Sequence, residues 1–182
     1  MKTISKVWYF EEPGPENTEY VIQAVSEKIK EKGIKTVIVA STSGDTALKF
    51  AKYLKNKAKL IAVSWKKITQ KNVQELQNLD VTICNFENYL PLHEMGNELV
   101  RNTFYTFGQG IKVCAEVTLI AVDKGIIPSG QEVIAVGGTG SGADSAAIIK
   151  ATSTSDMFSS DIQKRLEIRE IIAMPRKKKW WK

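Results

Sequence analysis

The chain has one histidine, His93, and two cysteines, Cys84 and Cys114, in 182 residues. A Ser-His-Asp arrangement would have to use His93, which stands just after Pro91 with no motif around it and reads as a surface histidine. Without a second histidine or a paired-cysteine motif there is no nitrogen and sulfur ligand set for a metal, and no metal site is expected, although carboxylate-only sites stay open. Cys84 falls in an apparent strand and Cys114 in an apparent helix, so both read as reduced, packed thiols. No uninterrupted apolar run is long enough to cross a bilayer, and the first ten residues carry Lys2 and Lys6 where a signal peptide would be apolar. The expected location is cytoplasmic. The body also lacks an excess of either charge. Of the 26 Lys and Arg, five (Arg176, Lys177, Lys178, Lys179 and Lys182) fall in the last seven positions, leaving 21 basic against 20 acidic residues. The formal charge of +6 therefore belongs to the tail, and no nucleic acid is expected to bind through the folded body. Trp180-Trp181 amid those charges reads as a solvated tail, with partner or membrane-surface contact as the alternative.

What is present is enough apolar content, 43%, to fill one core. One domain over residues 1–176 is expected, followed by a basic aromatic tail at 177–182. Pro13-Gly14-Pro15, then Val21, Ile22, Val25 and Ile29 on one face, then lysines and Gly33, mark a helix at both ends. Val37 to Ala40, Leu60 to Val63 and Val81 to Cys84 read as strands. Helices carrying Ala47-Leu48-Ala51-Leu54 and Val73-Leu76-Leu79 lie between them. A further helix is expected over Glu94 to Phe107. The helix between Gly110 and Gly125 is apolar enough to be covered on two sides, with Lys112 and Glu116 as a surface bridge. Glu132 to Val136, Ala146 to Ile149 and Ile168 to Met174 complete the strands. Such alternation means a largely parallel sheet with helices on both faces.

Three segments could contact a ligand. Ser41-Thr42-Ser43-Gly44-Asp45-Thr46 joins a buried strand to a helix start, where unpaired amides, the helix dipole and several hydroxyls suit a phosphate. Gly44 would let the backbone approach, and Ser41, Thr42, Ser43 and Thr46 would donate; plain N-capping is the simpler alternative. Gly137-Gly138-Thr139-Gly140-Ser141-Gly142-Ala143-Asp144 has neither the Lys-Ser/Thr of a P-loop nor the following helix of a dinucleotide fingerprint. Its amides, with Gly138, Thr139, Gly140 and Gly142 as candidates, could line a flat or anionic group; a ligand-free turn is the alternative. Phe107-Gly108-Gln109-Gly110, ahead of Lys112, is either a second contact through Gly108 and Gln109 or a helix break.

Together with Tyr9-Phe10-Glu11-Glu12-Pro13-Gly14 and Arg169-Glu170-Ile171-Ile172-Ala173-Met174-Pro175-Arg176, these motifs resemble a prokaryotic family of stand-alone pyruvate kinase C-terminal-like alpha/beta domains, from about Val7 to Arg176. The resemblance implies a three-layer α/β/α sandwich, with a mostly parallel mixed sheet and an antiparallel edge. It implies a phosphate site at the 41–46 hydroxyls, and no kinase activity, since the catalytic barrel is missing. Members are associated with FMN, which would put the flavin phosphate near Thr42 and the ring toward Gln109 and the glycine segment. Where the family has a His pair after the strand at 60–63, this chain has Ser64-Trp65, and a histidine usual after the next strand is replaced near Asn85. Trp65 then either stacks on a flavin or the ring pocket is absent. The function expected is binding of a phosphorylated small molecule, FMN first; a flavin-dependent oxidoreductase or a sugar-phosphate-sensing module are the alternatives. Assembly into a homo-oligomer stays open.

Overall fold

The computed structural model describes residues 2, 4–86, 91–94 and 98–179. The side chains of His93 and Glu94 and the tail residues Trp180, Trp181 and Lys182 lie outside that description, so the readings made of His93 and the Trp pair fall beyond it.

The elements run β1 (Trp8–Phe10), α1 (Thr18–Lys32), β2 (Thr36–Ala40), α2 (Asp45–Leu54), β3 (Lys59–Ser64), α3 (Gln70–Asn78) and β4 (Thr82–Asn85). They continue as α4 (Pro91–Glu94), α5 (Glu98–Tyr105), α6 (Gln109–Asp123), β5 (Glu132–Gly137), β6 (Ser145–Lys150) and β7 (Glu167–Pro175). α1 starts after a 3-10 turn at Pro15–Asn17 and ends on Gly33, whose φ of 69° takes the left-handed cap that L residues avoid. β1 has no counterpart in the sequence reading. It is three residues long, too short for any periodicity, and it exists by pairing Trp8, Tyr9 and Phe10 with Ala173, Met174 and Pro175.

The strands form one seven-stranded sheet in the order β1-β7-β6-β5-β2-β3-β4. β2, β3 and β4 pair in parallel, as do β2 with β5 and β1 with β7. β6 pairs antiparallel with both β5 and β7. The sheet is mixed and mostly parallel, but the antiparallel strand expected at an edge lies inside. The turn after β5 is too short for a crossover, so β6 returns beside it, and β7 and β1 then extend the sheet beyond.

Residues alternate between two cores. Val37, Val39, Leu60, Ala62, Ile134 and Val136 pack under α1, α2 and α3, while Ile38, Ile61, Val133, Ala135 and Ala147 pack under Ile111, Cys114, Val117 and Ile120 of α6. That alternation along each strand is the three-layer sandwich. The outer side of α6 is covered in turn, with Leu119 packed against Leu92, Met157, Val100 and Phe104. Lys112 and Glu116 are therefore not a surface bridge. Their side chains are 4% and 5% exposed, with Nζ 2.6 Å from Oε1. Burial pushes the Glu116 carboxyl up and the Lys112 charge opposes it. Cys84 and Cys114 are both free and buried. Among the described residues, no helix is long and apolar enough to cross a membrane, and no His, Cys, Asp and Glu cluster could hold a metal ion.

Candidate functional site

All three glycine- or hydroxyl-rich segments come out at one end of the sheet, beyond the carboxyl ends of its central parallel strands. β2 leads into α2 on one face, and its neighbour β5 follows α6 on the other. That is a topological switch point, where open α/β sheets leave a crevice for ligands. The register sets Val39 beside Val136, which brings loop 41–46 alongside the turn that follows Gly137.

In the 41–46 corner each polar group has a distinct situation. Ser41 is buried, and its Oγ accepts the Ala47 amide at 3.1 Å. Thr42 is exposed, and its Oγ1 accepts the Trp65 indole N–H at 2.9 Å. Ser43 Oγ donates to Asp45 Oδ2 at 2.7 Å and takes the Asp45 amide at 3.3 Å. Asn72 Nδ2 donates to both the Ser43 carbonyl and Asp45 Oδ1, each at 2.8 Å. The Ser43 hydroxyl, then the Asn72 amide, hold the Asp45 carboxyl below its usual range. The carboxylate is thus clasped toward α3. Thr46 is half-buried.

Two of the first α2 amides, those of Asp45 and Ala47, are taken up by Ser43 and Ser41. Those of Thr42, Ser43, Gly44 and Thr46 have no acceptor among the described residues. Part of the hydroxyl cluster is therefore capping, as the simpler alternative held, while a set of backbone donors is left over at a helix start. Gly44 has an internal reason to be glycine. Its φ is 94°, and a Cβ there would lie 2.8 Å from Ile68 Cγ2 and 3.0 Å from Asn72 Cβ.

The glycine segment is mostly occupied by the protein itself. A Cβ on Gly137 would overlap the Gly110 carbonyl, one on Gly138 the Gly142 carbonyl, and one on Gly142 would come within 2.6 Å of Pro15 Cα. Asp144 is fully buried. It accepts the Thr139 amide at 3.0 Å and the Ser145 hydroxyl at 2.8 Å, and burial pushes its carboxyl up. Thr18 Oγ1 accepts the Ala143 amide at 3.0 Å. The turn thus ties the starts of α1 and α6 to the end of β5, and Thr139 is spent inside it. Gly140 and Ser141 form its exposed tip.

Gly108 caps α6 at a φ of 97°, and a Cβ on it would meet Lys178 Cδ at 3.2 Å. Gln109 Oε1 is buried with no hydrogen-bond partner among the described residues. Sequence reasoning missed Asn72, which clamps the corner, and Lys178, which lies over Gly108. Nothing in the local pattern of either residue signals the contact.

The family described as "Pyruvate kinase, alpha/beta domain" matches residues 19–151. The chain belongs to that family. The matched span starts inside α1 and ends just after β6. It therefore holds the 41–46 corner, Gly108 and Gln109 and the glycine turn, and leaves out β1 and β7 of this pyruvate kinase alpha/beta domain. Among solved structures, a Cryptosporidium parvum pyruvate kinase is similar at 18% identity and a TM-score of 0.42, with 74% of this chain and 22% of that one covered. A second structure of a Cryptosporidium parvum pyruvate kinase gives the same identity and coverage, with a TM-score of 0.43. The chain thus spans about a fifth of the length of those enzymes.

Proposed function

We propose that this domain binds a phosphorylated small molecule at the β2–α2 corner, and that FMN is the first ligand to test. The observation that carries the reading is the set of amides at Thr42, Ser43, Gly44 and Thr46 with no internal acceptor among the described residues, at the start of a ten-residue helix. Such donors, aligned with the helix dipole, favour a dianion. Thr42 Oγ1 only accepts in the bond it makes, so its proton is available to a phosphate oxygen. Asp45, which would repel a phosphate, has its charge spread over Ser43 and Asn72. FMN comes from the family resemblance drawn on the sequence. Its phosphate suits these donors, and the half-exposed indole of Trp65 stands next to them.

Charge-assisted hydrogen bonds contribute about 1.5–3 kcal/mol each before the cost of association, so phosphate alone should bind weakly and the remainder of the ligand should decide affinity. The test is calorimetry of the protein with FMN and with inorganic phosphate, repeated on Thr42→Glu. Thr42 is exposed, so the variant should fold while placing a carboxylate at the mouth. Binding of FMN that falls at least about tenfold in the variant supports the reading. Equal affinity in the variant, or no binding of either compound, overturns it.

A further inference from the structure

The residue after β3 is more than a neighbour of the phosphate corner. Ser64 is buried, and its hydroxyl reaches both the Thr42 carbonyl at 3.1 Å and the Lys66 carbonyl at 2.5 Å. The Trp65 indole N–H is fixed on Thr42 Oγ1. Turn 64–66 and loop 41–46 are therefore tied at two points, both on Thr42, and should move as one piece. Trp65 nevertheless keeps 51% of its surface exposed, a large apolar area to leave in water beside a set of anion donors. Its one polar atom is already spent on Thr42, so what it offers a ligand is the face of its ring. Lys66 Nζ lies 4.3 Å over the ring centroid, and Lys66 makes no ion pair with a carboxylate among the described residues. A cation on an aromatic ring with no carboxylate of its own is placed to move onto an anionic or carbonyl oxygen of an arriving ligand.

We propose that Trp65 is the specificity-determining residue of the corner, and that it selects phosphate monoesters carrying a planar aromatic ring over sugar phosphates. This rests on the phosphate reading above. The same donors would hold either phosphate; only the aromatic ligand gains by stacking on the indole, an effect that survives replacement by another aromatic residue and is lost with an aliphatic one.

The test compares FMN, ribose 5-phosphate and inorganic phosphate by calorimetry on the wild-type protein, Trp65→Phe and Trp65→Leu, with tryptophan emission followed in parallel. FMN should bind the wild type at least about tenfold tighter than ribose 5-phosphate. The gap should persist in Trp65→Phe and close to within about threefold in Trp65→Leu, with inorganic phosphate affinity the same in the two variants, since both lack the indole N–H. The part of the tryptophan quench due to Trp65 should vanish in both variants. If FMN and ribose 5-phosphate bind the wild type equally, or the gap survives in Trp65→Leu, the role of Trp65 is overturned while the phosphate reading stands. If none of the three compounds binds, the phosphate reading itself fails.

Discussion

Gly44→Ala separates two roles for one residue: room for a ligand, or room for the protein's own α3. At a φ of 94° an L residue costs roughly 1–2 kcal/mol in backbone strain. The new methyl would also press on Ile68 Cγ2 at 2.8 Å and on Asn72 Cβ at 3.0 Å. Overpacking of that kind typically adds about 1–3 kcal/mol. The lower entropy of an unfolded alanine returns about 0.4–1 kcal/mol. The net is a loss of about 1–5 kcal/mol, centred near ~3 kcal/mol, or roughly 6–12 °C in Tm at that centre for a domain of this size. The assay is thermal and urea unfolding of the ligand-free protein, because an internal role must appear without any ligand. A ligand-free variant within about 0.5 kcal/mol of wild type would refute the packing argument and return Gly44 to the ligand.

Three further outcomes follow from the same contacts. Gly142→Ala and Gly33→Ala share nearly the same backbone conformation, φ 68° and 69°, but only Gly142 has neighbours where the methyl would go. Gly142→Ala should therefore be the more destabilising by about 1–3 kcal/mol in urea, and equal losses would deny the close packing of the glycine turn. Lys112→Met, which leaves Glu116 buried without its cation, should cost about 3–5 kcal/mol, whereas Lys112→Met with Glu116→Leu should recover most of it. A double variant as unstable as the single one would contradict that pairing. Asp45 titrates below its ordinary value of 3.8, so its clasp contributes above that pH and is lost as pH falls through the lower folded value. The difference in urea midpoint between wild type and Asp45→Asn should be small because the group is largely exposed, present at pH 7, and narrowing below pH 4. A gap independent of pH would show that the charge plays no part.

The sequence carried the α/β architecture further than it carried the site. Strands such as Val37–Ala40 and helices such as α1 declare themselves because their apolar spacing and end residues are local. β1 does not, since its three residues gain their identity only from β7, some 160 positions on. The inward place of β6 was hidden for the same reason: which strand flanks it depends on where β7 returns. At the corner, the pattern of hydroxyls and Gly44 was visible, but their partners Ser64, Trp65 and Asn72 come from the next two loop and helix starts. Capping and ligand donation therefore could not be told apart by spacing. Lys112 and Glu116 follow an ordinary surface pattern and are buried because α5 lies against that side of α6, with the Lys112 ammonium over the Tyr105 ring.

The central claim, that backbone amides of one helix start receive a phosphate, is tested most directly by amide NMR of the protein titrated with inorganic phosphate and then with FMN. The expected result is saturable displacement of the Thr42, Ser43, Gly44 and Thr46 amide resonances by both compounds, with the Trp65 indole resonance moving far more for FMN. Amides at 41–46 that stay fixed while those around Gly140 or elsewhere move would contradict it.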